Sequence, residues 1–538
     1  MKTKGLKERG LIILFLAVFA IVIASCGGAN SDTSTSNSPP PNAVITENQL
    51  PGTTDWRLNL PATNRQIEGY ASATSVNHGA SIDFYVNTAA STFTIDVFRM
   101  GWYGGLGGRR IFGPISATGT RQSIPMPDSA TGLVDCAWTG SYTLATGTDW
   151  TSGIYLAKLT ESATDTQSYI IFVVRNDEAS PKFLFQLPVT TYQTYNFWGG
   201  KSAYDWGSGN QLPWGSSSGT AAVKVSFNRP YAVSTNAAAA SGMGAGEFLT
   251  NVQPVAQGYP ISSAGWDYNL VRWLEKEGYD VTYATDIDLH ISSAALNRAR
   301  TFLSSGHDEY WSWEMRSNVE TFRNNGGNLI FFGANPVYWQ IRLEKSPATG
   351  KDNRVIAIWR IAQQDPLFND GISSNDYLVT TRWRNPPVSR PEDALVGVGY
   401  KLSPVAGDIV ITNASHWVFQ NSGLTNGSTL PGLLGYEVDG TLGNQAARTK
   451  ILAASVATSL TEGSTARSNM TIYTWPSGAQ VFATGSMQWS WGLDDYNVPQ
   501  LRSSRLNTAV IQITKNILNR FRRDHTQRSL LQFWTNGE

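Results

Sequence analysis

Cysteine is nearly missing from this chain of 538 residues, which holds only two. Cys26 lies in the amino-terminal leader and Cys136 beside a strand-like stretch at Trp138, so the folds must rest on their cores rather than on a disulfide framework. No CxxC pair and no Cys/His zinc spacing occurs, and Cys136 reads as a small buried hydrophobe rather than a nucleophile. Charge of one sign is lacking as well. The 41 Lys plus Arg balance 41 Asp plus Glu, which removes the electrostatic ground for a nucleic-acid partner or an acidic membrane surface. Charged residues make up only 15% of the chain, against 19 Trp and 50 Gly. That balance suits a β-rich extracytoplasmic protein with many turns, and the length allows two or more domains with sizeable cores.

The apolar run at residues 11–24 is shorter than the roughly 20 residues a membrane-spanning helix needs. It follows Lys2, Lys4, Lys7 and Arg9 and stops at Ser25, the layout of a signal peptide. Ile23-Ala24-Ser25-Cys26 resembles the bacterial lipobox, which implies cleavage before Cys26 and lipidation of its sulfur. The expectation is a lipoprotein signal peptide at 1–25, a disordered linker rich in Gly, Ser, Thr and Pro at 26–42, and a protein held by lipid in the cell envelope, facing the periplasm or the surface.

Residues 43–176 read as strand after strand with no helix of any length. Ser81-Ile-Asp-Phe-Tyr-Val and Phe93-Thr-Ile-Asp-Val-Phe-Arg alternate apolar and polar positions, and Ser168-Tyr-Ile-Ile-Phe-Val-Val is apolar throughout. Short strands between Gly/Asn/Ser/Thr turns predict a β-sandwich, immunoglobulin-like or jelly-roll. The glycine-rich Gly101-Trp-Tyr-Gly-Gly-Leu-Gly-Gly has no helix behind it and so reads as a hairpin, not a phosphate loop. From 177 to 538 the character changes. Strand-like runs at 182–187, 278–283, 301–303, 327–335 and 481–485 alternate with helical periods at 265–277 and 312–324, predicting a mainly parallel, doubly wound sheet in a three-layer α/β domain. Residues 338–448 read as an insertion over its crevice, and 506–523 as a closing amphipathic helix.

Residues 301–316, TFLSSGHDEYWSWEMR, organise the rest. A strand ends, Gly306 permits a sharp turn, and a helix follows. His307, Asp308 and Glu309 then stand at the carboxyl end of a strand, where open α/β sheets place their ligand crevices. Helix capping accounts for one carboxylate at such a position, but not for the whole cluster.

Thr194-Tyr-Asn-Phe-Trp-Gly-Gly, Phe227-Asn-Arg-Pro-Tyr, Trp273-Leu-Glu-Lys-Glu-Gly-Tyr, Gly306-His-Asp-Glu-Tyr-Trp-Ser, Phe331-Phe-Gly-Ala-Asn-Pro-Val-Tyr-Trp and Leu433-Leu-Gly-Tyr-Glu-Val-Asp together resemble the large subunit of N,N-dimethylformamidase and its wider family. The resemblance covers roughly residues 180–538. It implies a sheet like that of class I glutamine amidotransferases and one iron, ferric, held by Tyr195, Tyr231 and Glu309, with Tyr192 as the alternative to Tyr195. Such hard oxygen donors suit a trivalent ion better than Zn or Cu. It further implies His307 as acid/base, Asn335 as donor to a substrate carbonyl, and Glu437 as general base, for which a solvated loop acid is the alternative. The activity implied is hydrolysis of the carbon–nitrogen bond of a small linear amide, with a homo-oligomer or an unfused small subunit as partner. Two features depart from the resemblance. The turn at Gly306 carries no cysteine, which excludes glutamine amidotransfer through a thioester, and a lipid-anchored chain differs from an intracellular complex. His416 reads as a core histidine or a pocket wall, and His78, His290 and His525 fall outside the motifs. The competing class is a non-catalytic surface lipoprotein that binds a glycan or peptide through its many aromatic residues.

Overall fold

The computed structural model describes residues 42–209, 219–252 and 263–523. The expected signal peptide, Cys26, the linker up to residue 41, and His525 lie outside the described residues. From Asn42 onward the chain forms one compact unit, a mixed α+β structure built on several sheets. No described helix is long and apolar enough to cross a membrane.

The first described element departs from the all-strand expectation. Ala43–Asn48 is a helix, because the Asn42 side chain accepts the Val44 N–H at 3.0 Å and caps it. Strands follow in two sheets. One orders Ile67–Ala71, Ser81–Thr88 and Tyr142–Ala145. The other orders Ser75–Asn77, Gln167–Arg175, Gly153–Glu161, Thr92–Met100 and Gly108–Thr118. Ile82, Phe84 and Val86 are buried at every second position of Ser81–Thr88, and Phe84 meets Phe172 of the other sheet with ring centroids 5.6 Å apart. The glycine-rich stretch is the connection of a hairpin. It turns through Tyr103–Gly105, with Gly104 at φ 65°, between the antiparallel Thr92–Met100 and Gly108–Thr118.

A seven-stranded sheet dominates the remainder, in the order Val281–Thr285, Phe183–Leu187, Thr301–His307, Asn328–Ala334, Gln480–Ala483, Thr465–Thr474 and Lys450–Thr458. The first five are parallel and the last two join antiparallel. Phe183–Leu187, Thr301–His307 and Asn328–Ala334 are buried at every residue, as parallel strands covered on both faces must be. Helices Asp267–Lys276 and Trp313–Asn324 fall between these strands. Within 338–448 the main feature is the long antiparallel hairpin of Gly399–Val410 and Thr429–Gly440.

Candidate active site

Thr301–His307 pairs in parallel with Asn328–Ala334 so that His307 faces Ala334 across the ladder. This register puts His307-Asp308-Glu309 and Asn335 side by side beyond the carboxyl ends of two adjacent strands. None of the three caps the following helix. Ser312 does that, accepting the Met315 N–H at 3.2 Å, so the acids of this turn are available for other work.

Asp308 is the pillar. It is buried and accepts hydrogen bonds from Gln186 Nε2 at 2.7 Å, Ser304 Oγ at 2.8 Å and Trp311 Nε1 at 2.7 Å. Burial pushes its carboxyl up to about 6, against the pull of those donors. The loop after Ala334 clamps the same turn. Val337 N–H donates to Asp308 O at 3.0 Å, while Tyr338 and Trp339 N–H donate to Glu309 O at 2.9 and 3.0 Å. Asn335 and Val337 hold φ of 55° and 57° to do so. A β-branched residue in the left-handed region stores strain, which proteins concentrate at ligand sites.

On this frame Glu309 and His307 gather their partners. Tyr195 Oη donates to Glu309 Oε2 at 2.9 Å. His307 Nε2 stands 3.2 Å from Glu309 Oε2, 3.4 Å from Glu437 Oε2 and 3.5 Å from Asn335 Nδ2. Glu437 arrives from the strand Thr429–Gly440, so the expected insertion does reach the crevice. Burial opposes a charge on His307, but the Glu437 and Glu309 carboxylates outweigh it and hold the imidazole well above its usual range. The ring is bracketed by two carboxylates that favour its protonated form. Burial, then Glu309 and Tyr204, raise the Tyr195 phenol well above its usual value.

Five of the residues expected from the sequence thus converge: Tyr195, His307, Glu309, Asn335 and Glu437. Tyr231 does not join them. Among the described residues it shares no hydrogen bond with this cluster. It lines a cavity of about 30 Å³ with Tyr70, Phe227, Arg229 and Arg354, and burial and then Asp286 push its phenol up. Its motif contributes instead through Arg229, which donates to Asn196 O, Trp198 O and Lys201 O at 2.7–2.9 Å and so folds the loop behind Tyr195. Tyr192 points elsewhere too, donating to Asp267 Oδ2 at 2.5 Å.

The family described as N,N-dimethylformamidase beta subunit-like, C-terminal, matches residues 94–502. This chain belongs to that family. The match begins within Thr92–Met100, so it extends across strands that the motifs alone left outside. Two N,N-dimethylformamidase beta subunits are similar over short stretches. One from Alcaligenes sp is 31% identical over 78 residues and one from Paracoccus aminophilus 32% identical over 74. In each case the stretch is 14% of this chain and 10% of the relative, so the chain spans about a tenth of the length of the curated relatives it matches.

Three residues of this cluster lie outside the set expected from the sequence. Tyr204 Oη donates to Tyr195 Oη at 2.8 Å, lies 3.4 Å from Glu309 Oε2 and hydrogen-bonds Tyr310 Oη. Arg360 places its guanidinium 4.5 Å from the Tyr204 ring centroid and donates to Tyr310 Oη at 3.2 Å. Tyr310 was within reach of inspection as the neighbour of Glu309. Tyr204 and Arg360 lie in irregular segments with no periodicity to mark them.

Asp439, two positions beyond Glu437, accepts the Asn335 backbone N–H at 2.8 Å. Burial pushes its carboxyl from 3.8 up to about 8, with that N–H opposing. Its folded value is the higher one, so its neutral form stabilises the fold fully below the unfolded value and this contribution is lost as pH rises through about 8. Between pH 5 and 9 the Asp439→Asn variant should accordingly show a flatter decline in Tm than the wild type. Parallel declines would rule out a buried neutral carboxyl here.

Proposed function

We propose that this protein is a metal-dependent hydrolase of carbon–nitrogen bonds in linear amides, with a mononuclear, ferric iron. The observation that carries the reading is the His307 side chain held between Glu309 and Glu437 beside Asn335, in a chain of the dimethylformamidase-like family. The donors suit a hard cation. Tyr195 Oη, Tyr204 Oη and Glu309 Oε2 lie 2.8–3.4 Å from one another, all are oxygen, and phenolate with carboxylate favours a trivalent ion. Tyr195, Tyr204 and Glu309 would hold it, Tyr204 standing where the family resemblance implies Tyr231. When bound, the ion supplies a Lewis acid and lowers the pKa of a coordinated water.

The remaining chemistry belongs to the side chains. Asn335 Nδ2 offers a fixed donor to the carbonyl oxygen as negative charge develops there. Glu437 Oε2, buried and 3.4 Å from His307 Nε2, accepts a proton from the attacking water. His307, whose protonated form the two carboxylates favour, gives its proton to the departing amine nitrogen and recovers one from Glu437.

A screen of formamides and small N-alkyl amides, with amine release as readout, tests the activity. Turnover by the iron-loaded protein is expected. Inertness toward every amide would favour the surface binding protein. Tyr204 has its own test. Tyr204→Phe should weaken iron binding by about tenfold or more and shift the phenolate charge-transfer band, while Tyr231→Phe should leave both unchanged. The reverse outcome would restore Tyr231 as the donor.

The reading extends to the surroundings of the site. The two amino-terminal sheets support a β-sandwich at 43–176, and the five parallel strands support a class I glutamine amidotransferase-like domain at 177–538. Proteolysis that cuts first near residue 176 is the expected outcome. A lipid anchor at Cys26, in the envelope, predicts incorporation of labelled fatty acid that Cys26→Ser abolishes. The relatives are named as beta subunits, which supports a homo-oligomer or an unfused small subunit, to be read from the mass in solution.

A further inference from the structure

Another cavity lies beside the last three strands of the seven-stranded sheet. Asn328–Ala334 begins level with Gln480–Ala483, Leu329 facing Val481, and ends beside His307. Its seven residues, at about 3.3 Å each, separate its two ends by roughly 20 Å. Gln480, with Tyr473 and Thr474 from the neighbouring strand, lines a cavity of about 920 Å³ at the end remote from His307. The walls include His416 and Trp417, Arg448 and Lys450, Trp475, and Arg520 from the last turn of helix Thr508–Phe521.

The charge in this cavity has one sign. Among the described residues no Asp or Glu lines it, and Arg448, Lys450 and Arg520 form no ion pair. Elsewhere in the fold guanidinium groups find carboxylates, as Arg342 does with Asp365 at 3.0 Å and Arg384 with Glu392. The Arg520 guanidinium lies 4.5 Å from the Trp417 ring centroid, and its buried Nε has no hydrogen-bond partner. Arg323 fixes the opposite wall, with its guanidinium 3.7 Å from the Trp475 centroid. His416 Nδ1 accepts the Val418 N–H at 3.4 Å, which leaves its proton on Nε2 as a further donor. Burial, then Lys450 and Arg520, push this imidazole down to about 4. Burial first, and the two cations after it, therefore favour the neutral ring.

Cations that form no ion pair among the described residues, set among indole walls in a pocket of ligand size, describe a site for an anion with an apolar body. We propose that this cavity binds a carboxylate carried on a ring, either an aromatic acid or an acidic sugar. The carboxylate sits among Arg520, Lys450 and Arg448, and the ring lies against Trp417 and Trp475, where stacking tolerates either a π-face or the apolar face of a sugar.

The test is titration of the full chain with benzoate and with glucuronate, each against its uncharged counterpart, benzyl alcohol and glucose, by calorimetry and ligand-observed NMR. At least one acid should bind, about tenfold or more tightly than its neutral counterpart, and more weakly as salt rises. The tighter acid tells which ring source the site serves. Arg520→Gln and Lys450→Gln should each weaken binding about tenfold, and Lys450 is exposed, so its variant keeps the fold. Glu309→Ala should leave the binding untouched, which separates this site from the catalytic cluster. Absence of binding by either acid, equal binding by the neutral counterparts, or affinity unchanged in both cavity variants would overturn the proposal.

Discussion

Glu309→Ala is expected to lose iron and amide turnover together while the protein stays folded. The backbone of this residue is held independently of its side chain. Its N–H donates to Thr191 Oγ1 at 3.0 Å and its carbonyl receives two N–H groups from the loop at Tyr338 and Trp339. Asp308 anchors the same turn from the adjacent position. What the substitution removes is the oxygen on which Tyr195, Tyr204 and His307 converge. The rate loss should exceed the roughly hundred- to thousandfold typical of deleting one oxyanion donor, because the donor set, its charge and one neighbour of the His307 ring go at once. Iron content and visible absorption read the first loss, and amine release the second. Full activity in Glu309→Ala would sink the metal assignment, and a collapse of Tm alongside would mean that the loop hydrogen bonds do not carry the turn.

The other large effect concerns a buried ion pair far from this chemistry. Arg99, on Thr92–Met100, meets Glu275, on helix Asp267–Lys276, through two bonds of 2.7 and 2.9 Å, with both side chains at 0% exposure. Ser152 O accepts from the same guanidinium at 2.9 Å and Tyr103 Oη at 3.0 Å, while Glu275 also accepts from Tyr283 Oη at 2.8 Å. Burial works against the charge on Arg99, yet Glu275 more than offsets it and holds the guanidinium well above its usual value. Arg99→Ala therefore strands a carboxylate in the interior and should cost about 3–5 kcal/mol of unfolding free energy. Arg99→Met with Glu275→Met, which removes both charges and keeps the volume, should recover most of that loss. Denaturant unfolding of the single and double variants measures it. A loss below about 1 kcal/mol in Arg99→Ala would mean that the pair behaves like a surface contact. The pair also joins the amino-terminal strands to the parallel-sheet region, consistent with the single compact unit from Asn42 onward.

Much of this protein follows from the order of its residues alone. Apolar positions at spacing two in Ser81–Thr88, and unbroken apolar runs in Phe183–Leu187 and Asn328–Ala334, mark half-covered and fully covered strands, because side chains alternate faces along any strand. Gly306 is dictated in the same way. Its φ is 57°, and a Cβ there would meet Trp266 Cβ at 2.9 Å, so the turn that presents His307 and Glu309 needs glycine. The joint motifs also carried the family, although its match reaches back to residue 94, into strands whose alternation is common to many folds. Other features were decided only by the tertiary structure. Tyr204, and not Tyr231, comes to lie beside Glu309, and Arg360 covers Tyr204 and reaches Tyr310. The helix Ala43–Asn48 depends on one capping side chain. Asp308 turned out to be a satisfied support, and His416 the wall of a cation-lined cavity. The physical reason is the same in each case. Periodicity records which face of an element is buried, over a few residues at a time, whereas the meeting of phenols, carboxylates and guanidinium groups depends on where irregular loops cross, and a loop leaves no period in the sequence.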